Sequence, residues 1–113
     1  MPAKPNITAA EALELTALIS YTEQGISSRV IGQSGGGNVT LFAFDAGQEL
    51  SEHTSPYEAL VEVIEGTLMV NVGGTRVRAP SGTVVRIPAT VPHALESPGR
   101  SKMMLVMLRD RGH

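Results

Sequence analysis

The 113-residue sequence contains no cysteine and no tryptophan, and its aromatic residues amount to only 4%. The absence of cysteine excludes disulfides, thiolate metal sites and cysteine nucleophiles. The low aromatic content argues against a surface on which nucleic-acid bases stack. The formal net charge is −2 and no basic stripe is visible. We therefore expect neither nucleic acid nor an anionic membrane surface as a partner.

Long apolar runs are also missing. No run approaches the ~20 residues of a transmembrane helix, so we expect no membrane-embedded part. The first ten residues, MPAKPNITAA, lack the apolar centre of a signal peptide. We therefore expect a cytoplasmic protein, and the chain length predicts a single domain.

The beginning of the chain carries a helix-start signal. Thr8 and Glu11 have the spacing of a capping box, in which each side chain bonds the backbone amide of the other residue. Apolar residues follow, and Gly25 ends the segment. The pattern predicts a short N-terminal helix from about Ala9 to Ala17.

From Gly25 onward, glycines and prolines separate short apolar runs that alternate with a period of two. The predicted strands span residues 26–31, 39–45, 57–64, 67–72, 75–78, 83–87, 93–96 and 103–108. Residues 47–58 are predicted to form a loop of fixed shape. Such a chain favours an all-β antiparallel sandwich or closed barrel. We divide the single domain into an N-terminal helix and first strand (residues 1–36) and a barrel core (residues 37–109).

The period of two also predicts which side chains fill the barrel. Those expected to face the interior are Val61, Val63, Val85 and Ile87. Those expected to face outward are Glu62 and Arg86.

Histidine is the residue type that points to chemistry. His113 is the last residue of the sequence and is expected to fray, whereas His53 and His93 each lie at a strand entrance, inside a loop of fixed shape. Three interpretations of this pair stay open. The two residues are hydrogen-bonded loop histidines, a weak or partial metal site, or a metal-free site that uses one imidazole as a general base or ligand anchor.

The spacing around these histidines resembles that of small single-domain cupins, of the cupin-2 conserved-barrel type in the RmlC-like jelly-roll superfamily. The resemblance covers roughly residues 39–108 and implies an antiparallel double-stranded β-helix, or jelly-roll barrel. The residues that hold the two motif spacings are Gly47, His53 and Gly66 in the first, and Gly82, Pro88 and His93 in the second.

The resemblance also implies metal ligands, commonly three histidines and one glutamate, and here only His53 and His93 match. Ser55 stands at the expected second histidine, and Ala59 stands at the expected glutamate or histidine. Protein sites for first-row divalent ions commonly supply three or more of the four to six donors. We therefore expect a divalent ion such as Zn, Fe, Mn or Ni to be held weakly or not at all.

Two further positions differ from the cupin motifs, and Glu58 is a further candidate metal ligand. Thr90 replaces the glycine of Pro-x-Gly, and Ser97 replaces the final asparagine. Glu58 would complete the ligand set only if a β-bulge near residues 56–57 turned it inward, because neighbours in a regular strand face opposite sides. Otherwise Glu58 belongs to a solvated or inter-subunit face.

We therefore expect a small cupin barrel with a small-molecule or weak divalent-metal site at its mouth, of unknown substrate and with no assignable catalytic residue. The alternative is a metal-dependent cupin enzyme of the oxygenase or isomerase type.

The last predicted strand suggests how the chain associates. Residues 103–108 are apolar on both alternating faces, whereas a strand with one solvated face alternates. The resemblance implies the same association, and we expect a homodimer. Packing is the usual role of the methionines in the predicted strands, which are Met69, Met103, Met104 and Met107.

Overall fold

A computed structural model describes residues 7–109. This part of the chain forms nine strands: β1 (Ile26–Ser34), β2 (Gly37–Phe44), β3 (Glu49–His53), β4 (Glu58–Glu65), β5 (Thr67–Val72), β6 (Thr75–Pro80), β7 (Val84–Ile87), β8 (His93–Glu96) and β9 (Ser101–Leu108). They build a five-stranded sheet in the order β1-β2-β9-β4-β7 and a four-stranded sheet in the order β3-β8-β5-β6. All recorded strand pairs are antiparallel. The predicted all-β jelly-roll fold is confirmed. His113 lies outside the described residues.

The core lies between the two sheets. The alternation of side chains along β4 and β7 determines which of them are buried in it. Val61, Val63 and Ile87 are buried, and Val85 is partly buried against the same core. Arg86 is exposed, and Glu62 lies between two of these buried valines along β4. The predicted register of both strands is therefore confirmed.

The predicted helix over Ala9–Ala17 is wrong. The segment contains only a single turn of 3-10 helix at Leu15–Leu18, and no side chain caps it. Ala10 has a φ of 58°, in the left-handed region, and this conformation interrupts a right-handed helix two residues after Thr8. No helix within residues 7–109 is long and apolar enough to cross a membrane.

This N-terminal segment covers part of the outer face of the five-stranded sheet. The Lys102 ammonium donates to the carbonyl of Thr16 at 2.7 Å, and it lies 4.8 Å from the centre of the Tyr21 ring. The Arg29 guanidinium donates to the carbonyl of Leu18 at 3.0 Å. Beneath the segment lies a second apolar cluster built around Ile19, Leu41 and Ala43.

Strand β3 falls within the residues predicted to be a loop. Its sequence, ELSEH, is polar, and four of its five residues are exposed. Only Leu50 packs against the core. A strand at the edge of a sheet with one inward apolar side chain lacks the alternation by which strands are predicted.

Candidate ligand site at the barrel mouth

One end of the barrel is closed by two loops that bring both motifs together. Residues 54–57 connect β3 to β4, and residues 88–92 connect β7 to β8. His53 at the end of β3 is the register partner of His93 at the start of β8. At the same end of the opposite sheet, Ala59 pairs with Ile87. The two histidines predicted from the sequence are therefore neighbours at one barrel mouth.

The two imidazoles lie against each other. Their ring centres are 4.3 Å apart, and their planes form an angle of 61°. His93 is buried, with 7% of its surface exposed, whereas His53 is exposed. The pair therefore reaches from the barrel interior to solvent.

Each imidazole is held by its Nδ1 atom. His53 Nδ1 lies 2.6 Å from the carbonyl oxygen of Ser51, and His93 Nδ1 lies 3.0 Å from the carbonyl oxygen of Val91. A carbonyl oxygen only accepts hydrogen bonds, so Nδ1 carries the proton in both rings. In the neutral form, each Nε2 atom then presents a lone pair, which can ligate a metal or accept a hydrogen bond.

The loop before His93 is fixed by backbone hydrogen bonds. The Thr90 amide donates to the carbonyl of Ser55 at 2.7 Å and so links the two motif loops directly. The Gly73 amide donates to the carbonyl of Pro92 at 2.8 Å and ties the loop to the β5–β6 turn. Thr90 itself has a φ of 67°, which is an outlier for a β-branched residue.

Ser55, Ala59 and Glu58 add no ligand beside the two histidines. The Ser55 hydroxyl accepts from the Tyr57 amide at 3.2 Å, and Ala59 is buried in the core. Glu58 follows the outward parity of its strand and accepts from Arg86 at 2.8 Å. The hydrogen bond and positive charge of Arg86 lower the pKa of Glu58.

The donors at the mouth do not form a complete divalent-metal site. Within residues 7–109, no group of three or more histidine, cysteine, aspartate or glutamate side chains is arranged to hold a metal. Two imidazoles are fewer than the three protein ligands that a zinc site of this kind usually has. The metal that the resemblance implies does not fit the residues present as a resident cofactor.

The opposite wall of the mouth carries side chains that the motifs do not include. Asn38 on β2 pairs with Met107 on β9, and Met107 pairs with Ala59 on β4. These residues share the inward parity of Phe44, Met103 and Val61, which are fully buried. Thr40, also inward, is buried and donates to Asn38 Oδ1 at 3.3 Å. No alternation in the sequence predicts this wall, because residues 103–108 are apolar on both faces, and only the strand pairing of β2, β9 and β4 reveals it.

The geometry is that of a small antiparallel barrel with two histidines at its mouth. The family model described as the cupin domain matches residues 40–109, and the chain belongs to this family. None of the curated proteins compared with the chain matches it significantly.

Solved structures resemble the chain over almost its whole length. A conserved protein of unknown function from Streptococcus pyogenes is 30% identical, with 95% of this chain and 94% of that chain covered and a TM-score of 0.89. A cupin superfamily protein from Desulfitobacterium hafniense DCB-2 is 27% identical, with 93% and 96% covered and a TM-score of 0.87. A variant of salicylate 1,2-dioxygenase from Pseudoaminobacter salicylatoxidans shares the fold at 16% identity and a TM-score of 0.70, with 74% of this chain and 26% of that chain covered.

Proposed function

We propose that this cupin binds a small molecule at the barrel mouth through the Nε2 atoms of His53 and His93, and that it holds a divalent metal there only weakly. The observation that carries the proposal is the pair of hydrogen bonds from Nδ1 to backbone carbonyls. These bonds orient both rings and leave one acceptor, Nε2, on each of two rings whose centres are 4.3 Å apart. A ligand that donates two hydrogen bonds, such as a neutral diol, complements this arrangement.

The first test uses binding rather than activity. A library of small diols and related neutral donors is screened by thermal shift, because a compound that binds the folded state raises its apparent stability. We expect His53→Ala to abolish the shift produced by any hit. His53 is exposed, so its removal leaves the core intact.

The matched control is Glu58→Gln. This change removes the outward ion pair with Arg86 and leaves the mouth untouched. We expect Glu58→Gln to retain each thermal shift. Equal shifts in wild type and His53→Ala would contradict the proposal.

Metal content separates this proposal from its alternative, a metal-dependent cupin enzyme of the oxygenase or isomerase type. The retained motif histidines favour the alternative, because the resemblance places metal ligands at both positions. Elemental analysis of protein purified without a histidine tag decides between them. We expect well below one equivalent of Zn, Fe, Mn or Ni. A full equivalent that is lost in His53→Ala would support the enzyme.

We further propose that the protein is a homodimer that packs through the outer face of its five-stranded sheet. Three partly exposed apolar residues, Val39, Val106 and Leu60, form one row across β2, β9 and β4. Beside this row, Gly32 and Gly37 leave a groove of ≈ 350 Å³. A second copy of the chain presents the same apolar row and is the occupant that we propose.

A further inference from the structure

A cleft opens on the outer face of the five-stranded sheet, at the end where the mouth loops lie. It has a volume of ≈ 350 Å³, and neither motif histidine contributes to its lining. The residues that line it are Pro56, Glu58, Ala89, Leu108 and Arg109. Cavities of this size hold small molecules, usually with an apolar lining and a few polar groups that fix the orientation of the ligand.

Strand pairing and a backbone hydrogen bond fix the walls of the cleft. Leu108 at the end of β9 is the register partner of Glu58 at the start of β4. The other wall comes from the loops before β4 and β8, which are joined by the hydrogen bond from the Thr90 amide to the Ser55 carbonyl. The cleft therefore exists before a ligand arrives, and binding requires little ordering of the backbone.

Arg109 supplies a positive charge that no carboxylate within residues 7–109 pairs with. Its amide donates to the carbonyl of Gly36 at 2.8 Å, and its guanidinium lies 5.1 Å from the centre of the Tyr57 ring. The contact with the ring holds the side chain but does not cancel its charge. Among the described residues of the lining, Glu58 alone is acidic, and it forms its ion pair with Arg86 at 2.8 Å. The cleft therefore keeps one uncompensated positive charge.

A monocarboxylate with a short apolar body complements this cleft. A guanidinium presents its donors in a planar fork that matches the two oxygens of a carboxylate. The apolar body faces Leu108, which is 44% exposed, and its burial there is favourable. A dianion fits less well, because its second negative charge has no free cation in the cleft.

We propose that this cleft is a second ligand site, which binds a small monocarboxylate through Arg109 and holds its apolar body against Leu108. The inference goes beyond the proposed function, because it uses neither His53 nor His93. Leu108 stands two residues beyond Val106 in β9, so the cleft lies beside the apolar row proposed for the dimer, on the side of the mouth.

The first experiment titrates ¹⁵N-labelled protein with hexanoate, and with hexanamide as a neutral counterpart of the same shape. The chemical shifts of the backbone amides and of the arginine Nε–H groups report where each probe binds. We expect hexanoate to shift the Arg109 Nε–H and Leu108 amide resonances to saturation. Hexanamide is expected to bind roughly tenfold more weakly, because it lacks the charge that strengthens the hydrogen bonds.

Two arginine variants test the assigned residue. Arg109→Gln removes the charge at the cleft, and Arg78→Gln makes the same change on the outer face of the four-stranded sheet. Both side chains are exposed, so both variants are expected to fold, which the dispersion of their amide resonances checks. We expect Arg109→Gln to weaken hexanoate binding roughly tenfold and Arg78→Gln to leave it unchanged.

The apolar part of the site is tested by Leu108→Ala, with hexanoate and acetate as probes. Acetate carries the same charge but has almost no apolar body to place against Leu108. We expect Leu108→Ala to weaken the binding of hexanoate and to leave that of acetate unchanged. An equal loss for both probes would remove Leu108 from the site.

The remaining outcomes separate the second site from the mouth. The site is overturned if hexanoate produces no saturable shift, if hexanamide binds equally well, or if wild type and Arg109→Gln bind hexanoate equally. Shifts that centre on His53 and His93 and disappear in His53→Ala would place the carboxylate at the mouth and also overturn the second site. Failure of the diol screen at the mouth leaves this inference unaffected, because the two tests share no probe.

Discussion

Thr90 holds a backbone conformation that glycine adopts more easily than threonine. Its φ of 67° lies in the left-handed region, at the position where the motif has glycine. A side chain at Cβ costs roughly 1–2 kcal/mol there. Replacing Thr90 by glycine would remove this strain. Part of the gain would be lost, because glycine loses more conformational entropy on folding, about 0.4–1 kcal/mol.

We therefore expect Thr90→Gly to raise the free energy of unfolding by about 0.5–1 kcal/mol. The exposed Thr90 side chain contributes little burial, and the Thr90 amide keeps its bond to Ser55. Urea unfolding measures the change. Thr90→Ala retains Cβ and is expected to gain much less, and an equal gain in both variants would show that the left-handed conformation is not the cause.

Among the individual residues of the site, only some could be predicted from the sequence. The spacing of His53 and His93 from the motif glycines resembles that of cupins, and this resemblance implies that the two histidines lie together. The rest depends on neighbours in space. Thr90 is identified as a departure from the motif by the sequence, but its strain becomes visible only in the backbone angle. Met107 is remote from both motifs in the chain and joins the mouth through strand pairing.

Among the secondary-structure elements, strands with clear alternation and glycine turns were predictable from the sequence. The polar strand β3 and the N-terminal segment that covers the five-stranded sheet were not. Val61 and Val63 in β4 alternate with polar or outward residues, and the Gly73-Gly74 turn fixes the β5–β6 register. Strand β3 is formed mainly by pairing with β8, which no local pattern encodes. The capping signal at Thr8 failed because the following residues pack as an irregular cover instead of continuing a helix.

Asp45 connects three of these elements at the end of β2. Its carboxylate accepts from the Gln24 amide at 2.6 Å, from Arg100 Nε at 2.9 Å and from the Ala46 amide at 2.9 Å. The bond from Gln24 is the largest cause of its lowered pKa, followed by Arg100 and Ala46, and together they bring the pKa of Asp45 to about 2. Asp45 thus joins the N-terminal segment to the β8–β9 turn.

This lowered pKa predicts a pH dependence of stability. A carboxylate whose pKa is lower in the folded state stabilises the fold above its unfolded value, near pH 4, and the contribution disappears as the pH falls towards 2. We expect Asp45→Asn to be less stable than wild type at pH 7, and the difference to narrow between about pH 4 and pH 2. Thermal unfolding across this range measures it, with the exposed Glu11→Gln as control. A difference that stays constant down to pH 2 would show that ionisation of Asp45 is not responsible.

At the scale of the whole molecule, the two sheets present different outer faces to solvent. The four-stranded sheet carries the Arg76–Glu96 ion pair at 2.8 Å. The five-stranded sheet is covered by the N-terminal segment over one part and leaves an apolar row over the other. At one edge of that sheet Val84 is 61% exposed, and at the end of β9 Leu108 is 44% exposed. A face of this kind gains free energy when a second apolar surface removes it from water.

The dimer proposed through this face predicts a mass of twice the 11.9 kDa chain at micromolar concentration. Val106 lies at the centre of the row, between Val39 and Leu60, and a two-fold axis brings it close to its own copy. We expect Val106→Glu to sediment as a folded monomer, because the partly exposed side chain is tolerated in one chain while two carboxylates meet unpaired in the dimer. Asn71→Glu, on the outer face of the four-stranded sheet, is expected to stay dimeric. A wild-type protein that sediments at the mass of one chain would contradict the dimer. Loss of the dimer in Asn71→Glu but not in Val106→Glu would place the interface on another face.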